Sequence, residues 1–249
     1  MSMMVLDPQT HLEYFRKIGK YPTCQIPEQI IFVYPRALFR DICAKYPNTR
    51  GDGIAAGLRV IAQGERSLGV VQGPLGAPMA ALLAEQYFAL GARQIVTLGT
   101  AGALNEELAV GDVVVCSEAI ADEGVSRHYL GPVEKVQASQ LLLTQILSAF
   151  ERTQLRVVQG ASWTMDAPYC ETWEQVRHYR SKGVLTVEME VAALYAVAAK
   201  RGFEALSLLG VSDRISEQGW IPGFENPKLM ENLGQCFDTF CGICFGKTG

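Results

Sequence analysis

The sequence has no uninterrupted apolar run that approaches the ~18 residues needed to cross a bilayer, so no membrane-spanning segment is predicted. It also lacks an excess of positive charge, because 22 Lys and Arg stand against 26 Asp and Glu, a net charge of −4. A nucleic-acid polymer is therefore not expected as a partner, whereas a single nucleoside or a small anion is compatible with this charge. The first 20 residues carry Asp7, His11, Glu13 and Arg16 without a central apolar run, so no secretory signal is predicted and a soluble cytoplasmic protein is expected.

Internal repeats, low-complexity tracts and linkers rich in Pro, Gly or Ser are also lacking, so one domain over residues 1–249 is expected. Hydrophobic residues make up 49% of the chain and charged residues 19%, enough apolar surface for a sizeable core. The seven cysteines are an odd number and indicate reduced, mostly buried thiols rather than a disulfide framework. Cys241 and Cys244 have C-x-x-C spacing, but no second pair or His cluster completes a metal site, so packing is favoured over zinc binding.

Short β-branched runs alternate with helical patterns, which is typical of β-α units around a parallel or mixed sheet and predicts an α/β fold. The predicted strands are 30–34, 58–63, 69–72, 94–98, 112–119, 155–159, 184–189 and 205–211. The predicted helices are 35–46, 77–90, 137–150, 172–181, 191–201 and 227–245.

Two glycine-bearing segments come directly after predicted strands, where open α/β sheets collect their ligands. Segment 73–78 reads GPLGAP and precedes a helix, so its backbone N–H groups and the helix dipole can hold an anion. Segment 99–102 reads GTAG, and Thr100 adds a short donor and acceptor between two glycines that allow close approach. Glycines that only reverse the chain would give the same pattern.

Two acidic segments also lie at the ends of predicted strands. Glu188 and Glu190 lie in an apolar neighbourhood, and the period of two in an extended segment would put both on one face. Buried carboxylates need polar partners, and sugar hydroxyls would serve; the alternative is one solvated and one helix-capping Glu. Asp213 ends an apolar run, where desolvation favours the protonated form that a general acid needs, whereas pairing with Arg214 or capping of the next turn are competing interpretations.

In their joint order these segments resemble the nucleoside phosphorylase family, which includes hexameric-type purine nucleoside phosphorylases, uridine phosphorylases and methylthioadenosine nucleosidases. The resemblance runs from about Val70 to Ile215 through GPLGAP (73–78), LGTAGAL (98–104), GDVV (111–114), GVSRHY (124–129), DAPY (166–169), VEME (187–190) and VSD (211–213). It implies a single α/β domain whose central mixed sheet forms a distorted barrel flanked by helices. It also implies a homo-oligomer, a dimer or hexamer.

The activity implied by the resemblance is cleavage of the N-glycosidic bond of a nucleoside, by phosphate in the phosphorylases, which are pentosyltransferases, and by water in the nucleosidases. Inorganic phosphate would be a co-substrate, and no metal or organic cofactor is expected. Glu190 would stabilise the positive charge that develops on the sugar, and Asp213 would protonate a purine leaving group. The other implied substrate-binding residues are Thr100, Ala101, Gly102, Pro168, Tyr169, Glu188, Met189, Ser212, Arg214 and His11, and the implied phosphate-binding residues are Thr100, Gly76 and Arg36.

The first departures from the family pattern concern the residues that bind phosphate, the group that attacks the sugar. The stretch 33–37, VYPRA, replaces the usual glycine-aspartate-proline loop and its arginine, and Thr97 stands where a second phosphate-binding arginine is usual. Arg36, Arg50 or Arg127 would have to bind the phosphate from another direction, which the sequence leaves open. Phosphorolysis, which the family resemblance implies, is the leading interpretation, while the missing arginines keep open a phosphate-independent nucleosidase and a nucleoside-binding protein without turnover.

Further departures concern the base and the subunit contact. Segment 170–174, CETWE, has no counterpart of the uracil-binding glutamine and arginine, which disfavours uracil, and Asp213 favours a purine. The segment 218–224 is either a loop that covers the base or an ordinary surface loop. His11 and Leu12 resemble an amino-terminal pair that reaches the sugar of a neighbouring subunit, although a lone surface His would look the same.

Overall fold

The computed structural model describes residues 5–246. Its strands are β1 Gln29–Val33, β2 Thr49–Arg50, β3 Arg59–Gln63, β4 Arg66–Gln72, β5 Gln94–Ala103, β6 Val113–Asp122, β7 Lys135–Gln137, β8 Val157–Met165, β9 Val184–Glu188, β10 Glu204–Ser216 and β11 Gly219–Pro222. Its α-helices are α1 Pro8–Lys17, α2 Arg36–Lys45, α3 Ala77–Leu90, α4 Ser126–Leu130, α5 Gln140–Phe150, α6 Trp173–Ser181, α7 Val191–Arg201 and α8 Pro227–Phe245.

Five strands close into a barrel in the order β5, β10, β6, β8 and β9, and β9 pairs back to β5. The pairing is mixed, since β5 is parallel to β10 but antiparallel to β9. The sheet continues from β5 through β1, β4, β3 and β2, while β11 extends β10 and β7 pairs with β6. The predicted α/β fold with a mixed barrel flanked by helices is confirmed.

Apolar side chains point to both faces of the open part of the sheet. On β1, Ile30 and Phe32 contact a core under α3 and α7, whereas Ile31 and Val33 contact a second core under α2 and α8. Successive side chains on a strand alternate between faces, so a strand that is apolar throughout requires helices on both sides. Within residues 5–246, no helix combines the length and apolar character that a membrane span requires.

Two predicted boundaries are wrong in a way that matters for the site. Segment 99–102 is not a turn but the end of β5, because β10 pairs with it up to Ala103. Gly102 lies against Asp213, and a Cβ atom there would come within 3.0 Å of the Asp213 Oδ2 atom. Likewise β10 does not end at Val211 but continues to Ser216, with a bulge between Val211 and Asp213. Elements α1, β2, α4, β7 and β11 were not predicted.

Candidate active site

Two adjoining cavities lie around the carboxyl-terminal halves of β5 and β10 and the junction of β9 with α7. The Glu190 cavity has a volume of about 630 Å³ and includes Tyr34, Arg36, Gly73 and Glu190 in its lining. The Asp213 cavity has a volume of about 650 Å³ and is lined by Asp213, Glu171 and Trp220 among others. Both cavities are lined by Thr100, Glu188, Met189 and Phe224, so they adjoin at these residues. The two cavities together are called the hollow below.

Glu190 lies at the first turn of α7, where its backbone (φ −136°, ψ −30°) has left the extended conformation of β9. Its Oε1 atom accepts a hydrogen bond from the backbone N–H of Gly76, at 2.6 Å. Gly76 is the residue before α3, so the carboxylate occupies the anion-binding position at that helix terminus. Burial, reinforced by the nearby charge of Glu188, raises the pKa of Glu190 to about 8. The surroundings of this carboxyl group therefore favour its protonated form.

Glu188 is only 6% exposed and has several hydrogen-bond donors. Its Oε1 accepts from the Thr164 hydroxyl at 2.5 Å, and its Oε2 accepts from the backbone N–H groups of Glu190 and Val191 at 2.7 and 2.8 Å. Burial raises the pKa of Glu188 to about 6, and these hydrogen bonds oppose the rise. The period of two predicted that Glu188 and Glu190 lie on one face of an extended segment. The chain instead leaves the extended conformation after Glu188, because the Glu188 carboxyl group accepts hydrogen bonds from the first free N–H groups of α7. Glu188 thus fixes the backbone that carries Glu190.

Asp213 is 8% exposed and lies at the bulge of β10. The Ser212 hydroxyl donates to its Oδ1 at 2.7 Å, and the indole Nε1–H of Trp220 donates to its Oδ2 at 2.8 Å. Both carboxyl oxygens of Asp213 therefore have a hydrogen-bond donor. Within the segment 218–224, residues Gly219–Pro222 form the hairpin strand β11, which pairs with β10. Trp220 on this strand and Phe224 after it line the cavity.

Most of the other predicted residues line the hollow. Ala101, Gly102, Pro168, Tyr169 and Ser212 line the Asp213 cavity, and Thr100 and Met189 line both cavities. Arg36 lines the Glu190 cavity from the first turn of α2, where its side chain is exposed. It is the one cationic side chain among the described residues that line either cavity.

Five predicted residues lie outside both cavities. Arg214 follows Asp213 on β10 and points to the opposite face, where its Nη2 donates to the Glu106 carbonyl. His11 lies on α1, and its ring is 4.8 Å from the ring of Phe15. The contact of His11 with the sugar of a neighbouring subunit stays a prediction. Gly76 donates its N–H to Glu190, Arg50 donates to the Ala56 carbonyl, and Arg127 lines a separate cavity.

Two cavity residues were missed by the sequence analysis. The Tyr34 ring packs so closely on Gly73 that a Cβ atom there would lie 2.8 Å from it. Its hydroxyl is buried and has no hydrogen-bond partner among residues 5–246, and burial together with the charges of Glu190 and Glu188 raises its pKa. Glu171 lines the Asp213 cavity, and burial and the Asp213 charge raise the pKa of Glu171 to about 7. The only sequence signal was that both residues lie in stretches that depart from the family pattern.

The closed mixed barrel and its carboxylate-lined hollow define an α/β protein with a candidate small-molecule site at the ends of its barrel strands. The family model of the Phosphorylase superfamily matches residues 40–240. The chain is 32% identical over 176 residues to the DeoD-type purine nucleoside phosphorylases of Bacillus cytotoxicus and Bacillus cereus, covering 68% of this chain and 72% of each relative. It therefore belongs to the nucleoside phosphorylase family.

Solved structures agree on the fold. The uridine phosphorylase of Vibrio fischeri ES114 superposes with a TM-score of 0.73 at 22% identity, covering 87% of this chain and 93% of that chain. A second structure of that enzyme, complexed with 6-hydroxy-1-naphthoic acid, gives a TM-score of 0.72, also at 22% identity, and covers 87% and 92% of the two chains. The relatives found by sequence and by structure thus carry purine and uridine names respectively.

Proposed function

We propose that this protein cleaves the N-glycosidic bond of a purine nucleoside with phosphate and releases the free base and the sugar 1-phosphate. The observation that carries the proposal is that Glu190 and Asp213 line adjoining cavities with a shared wall. A nucleoside has a polar sugar and a flat base joined by one bond, and a two-part hollow with an acidic residue in each part suits both. The bond would lie at the shared wall, beside Thr100 and Met189.

The chemistry requires two opposite charges to be stabilised as the bond breaks. Positive charge develops on the sugar ring, and Glu190, whose burial favours the protonated form in the free protein, stabilises this charge in its ionised form while accepting from a sugar hydroxyl. Negative charge develops on the leaving base, and an acidic group in the Asp213 cavity neutralises it by protonation, Asp213 being the candidate that the family resemblance offers. Interactions that strengthen as charge develops lower the barrier rather than only tightening substrate binding.

Phosphate as the attacking group is supported by the names of the related phosphorylases and by the position of Arg36 and Thr100 on the Glu190 cavity. No organic cofactor has a role in this proposal. His11 would complete the sugar side only in a homo-oligomer, a dimer or hexamer, in which α1 of one copy reaches the hollow of another.

Hydrolysis is a second candidate, because the Glu190 cavity is poor in positive charge. Among the described residues that line it, the charged side chains are the carboxyls of Glu188 and Glu190 and the single guanidinium of Arg36. The N–H of Gly76 is already used by Glu190. A neutral water molecule is less disfavoured by such a wall than a phosphate dianion.

Incubation of the protein with a panel of purine and pyrimidine nucleosides, with and without inorganic phosphate, tests both candidates. Phosphorolysis predicts free base and sugar 1-phosphate only when phosphate is present, with purines ahead of uridine. Release of free sugar at the same rate without phosphate would establish hydrolysis instead. An absence of cleavage across the panel, with nucleoside binding retained, would overturn the enzymatic proposal.

Arg36→Gln separates the two acceptors further. If phosphate attacks, this variant raises the KM for phosphate by about tenfold and leaves the KM for the nucleoside unchanged. Arg40→Gln is the matched control, because Arg40 lies one turn later on α2, is exposed and lines neither cavity.

A further inference from the structure

Trp220 shares one face of the β10–β11 hairpin with Asp213. The two strands are antiparallel, with Ile215 opposite Trp220 and Asp213 opposite Pro222. Because side chains alternate along a strand, Asp213, Ile215 and Trp220 point to the same side, and all three line the Asp213 cavity. Trp220 is therefore the diagonal neighbour of Asp213 across the hairpin, at a separation that an aromatic side chain can span.

The indole of Trp220 is held to Asp213 at one edge. Its Nε1–H donates to the Asp213 Oδ2 atom at 2.8 Å, while the Ser212 hydroxyl donates to Oδ1 at 2.7 Å. Gly102 leaves room for this arrangement, because a Cβ atom there would lie 3.0 Å from Oδ2. With one hydrogen bond on each oxygen, the carboxyl group cannot turn about its Cβ–Cγ bond without losing a partner. The orientation of the Asp213 carboxyl group thus depends in part on Trp220.

The rest of the Trp220 side chain is open. The residue is 59% exposed, so ring surface stays free although the N–H edge is bound. Phe224, 53% exposed, has its ring centroid 6.3 Å from that of Trp220 and lines both cavities. Exposed aromatic rings on a cavity wall are suited to stack on a flat heterocycle. Because its N–H is already anchored, the indole loses little conformational freedom when a ligand covers it.

We propose that Trp220 positions both partners of the proton transfer, since its N–H orients the Asp213 carboxyl group and its ring stacks on the base. This rests on the proposed function. In the step, the bond between sugar C1′ and the base nitrogen breaks and its electron pair passes to the base. A proton moves from Asp213 to a ring nitrogen of the base, while a phosphate oxygen bonds to C1′. Asp213 then takes a proton from solvent, and the indole keeps its own proton throughout.

Two substitutions separate the two roles of Trp220. Inosine requires protonation of its base, whereas 7-methylguanosine carries a cationic base that leaves without a proton. Trp220→Phe keeps a ring and removes the donor, so kcat should fall about tenfold on inosine and stay within about twofold on 7-methylguanosine. Trp220→Leu also removes the ring, so the KM for both nucleosides should rise about tenfold. Calorimetric titration with the free base hypoxanthine needs no turnover, and its Kd should rise about tenfold in Trp220→Leu and stay within about twofold in Trp220→Phe.

Ile221→Ala is the matched control, because Ile221 is the next residue of β11, is 39% exposed and lines neither cavity. It should leave rates and hypoxanthine affinity unchanged, which excludes a general weakening of the hairpin as the cause. Equal losses of kcat on both nucleosides in Trp220→Phe would indicate a structural role and overturn the positioning of Asp213. An unchanged Kd for hypoxanthine in Trp220→Leu would overturn the stacking role. A parent protein that cleaves neither nucleoside would overturn the proposed function itself, whereas an active parent with an unaffected Trp220→Phe overturns only the role of Trp220.

Discussion

The backbone N–H of Gly76 donates to the Oε1 atom of Glu190 over 2.6 Å, so one carboxylate joins the amino-terminal ends of α3 and α7. Both helix ends carry partial positive charge, which attracts an anion. The residues that follow β4, from Gly73 to Leu75, and those that follow β9, Met189 and Glu190, are thereby held as two walls of the same cavity. The contact that places Glu190 is therefore also a contact that shapes the cavity.

Glu190→Gln should change how stability depends on pH. The pKa of Glu190 is about 8 in the folded protein, against an ordinary value of 4.5, so the folded chain holds a proton that the unfolded chain releases between these values. This contribution is fully present below pH 4.5 and is lost as the pH rises through about 8. Gln has no charge to bury, so the variant should be more stable than the parent at alkaline pH. Since 1 kcal/mol of stability corresponds to about 2–4 °C in Tm, the gain should be several degrees.

Thermal unfolding at pH 5 and pH 8.5 measures this effect. The difference in Tm between variant and parent should be larger at pH 8.5 than at pH 5. Glu188, whose pKa is raised to about 6, contributes with the same sign in both proteins and does not cancel the difference. Glu174→Gln, at an exposed position, serves as the control, and a Tm difference that is independent of pH would contradict the buried state of Glu190.

Asp213→Asn should lower kcat on purine nucleosides by about 10²-fold or more, because the amide carries no charge and accepts on only one of its two end atoms. The indole of Trp220 or the hydroxyl of Ser212 then loses its acceptor. Steady-state kinetics with inosine measures the effect. Trp220→Phe keeps an aromatic ring on the cavity wall and removes a single donor, so its loss should be smaller. An unchanged rate in Asp213→Asn would remove Asp213 from the reaction.

Local signals allowed parts of the fold to be predicted closely. The bounds of α3, α7 and α8 agree with the predictions 77–90, 191–201 and 227–245. Glycines with positive φ end these helices at Gly91, Gly202 and Gly246, and proline lies in the first turn of α3 and of α8. These signals lie within a few residues of the helix boundary that they set, so they can be recognised in a single sequence.

Strand ends and side-chain partners could not be predicted in the same way. The lengths of β5 and β10 depend on their pairing with each other, since Gly102 meets Asp213 across about 110 positions of the chain. The bulge at Val211 and Asp213 lets Ser212 and Asp213 line the same cavity, which regular alternation forbids. The hydrogen bond from Trp220 to Asp213 depends on a hairpin that the sequence analysis treated as a loop.

Gly73→Ala should displace the Tyr34 ring. A Cβ atom at position 73 would lie 2.8 Å from that ring. The backbone that carries the ring is held in place, because the Gln72 amide donates to the Val33 and Tyr34 carbonyls at 2.8 Å. We expect a loss of about 1–3 kcal/mol in the free energy of unfolding, and reduced activity, because the strain lies in the wall of the Glu190 cavity.

Urea unfolding of Gly73→Ala beside Gly57→Ala isolates this contact. A Cβ atom at Gly57 meets no atom within 4 Å, so that variant should stay within about 0.5 kcal/mol of the parent. Similar free energies of unfolding for the two variants would show that the Tyr34 ring can move without loss of stability and that Gly73 is not needed for its packing.

Arg201→Met should weaken the contact between α3 and α7 at a second point. The Arg201 Nε and Nη2 atoms donate to the Glu85 carboxylate at 2.8 Å each, and the two side chains are 19% and 9% exposed. Removing the guanidinium leaves a nearly buried carboxylate without its ion pair, at a cost of about 2 kcal/mol or more in unfolding free energy. Glu85→Gln with Arg201→Met should recover part of that loss, because no charge is then left uncompensated. The coupling energy from the four proteins, measured by urea unfolding, should exceed about 1 kcal/mol, and strictly additive losses would mean that the pair does not stabilise this helix contact.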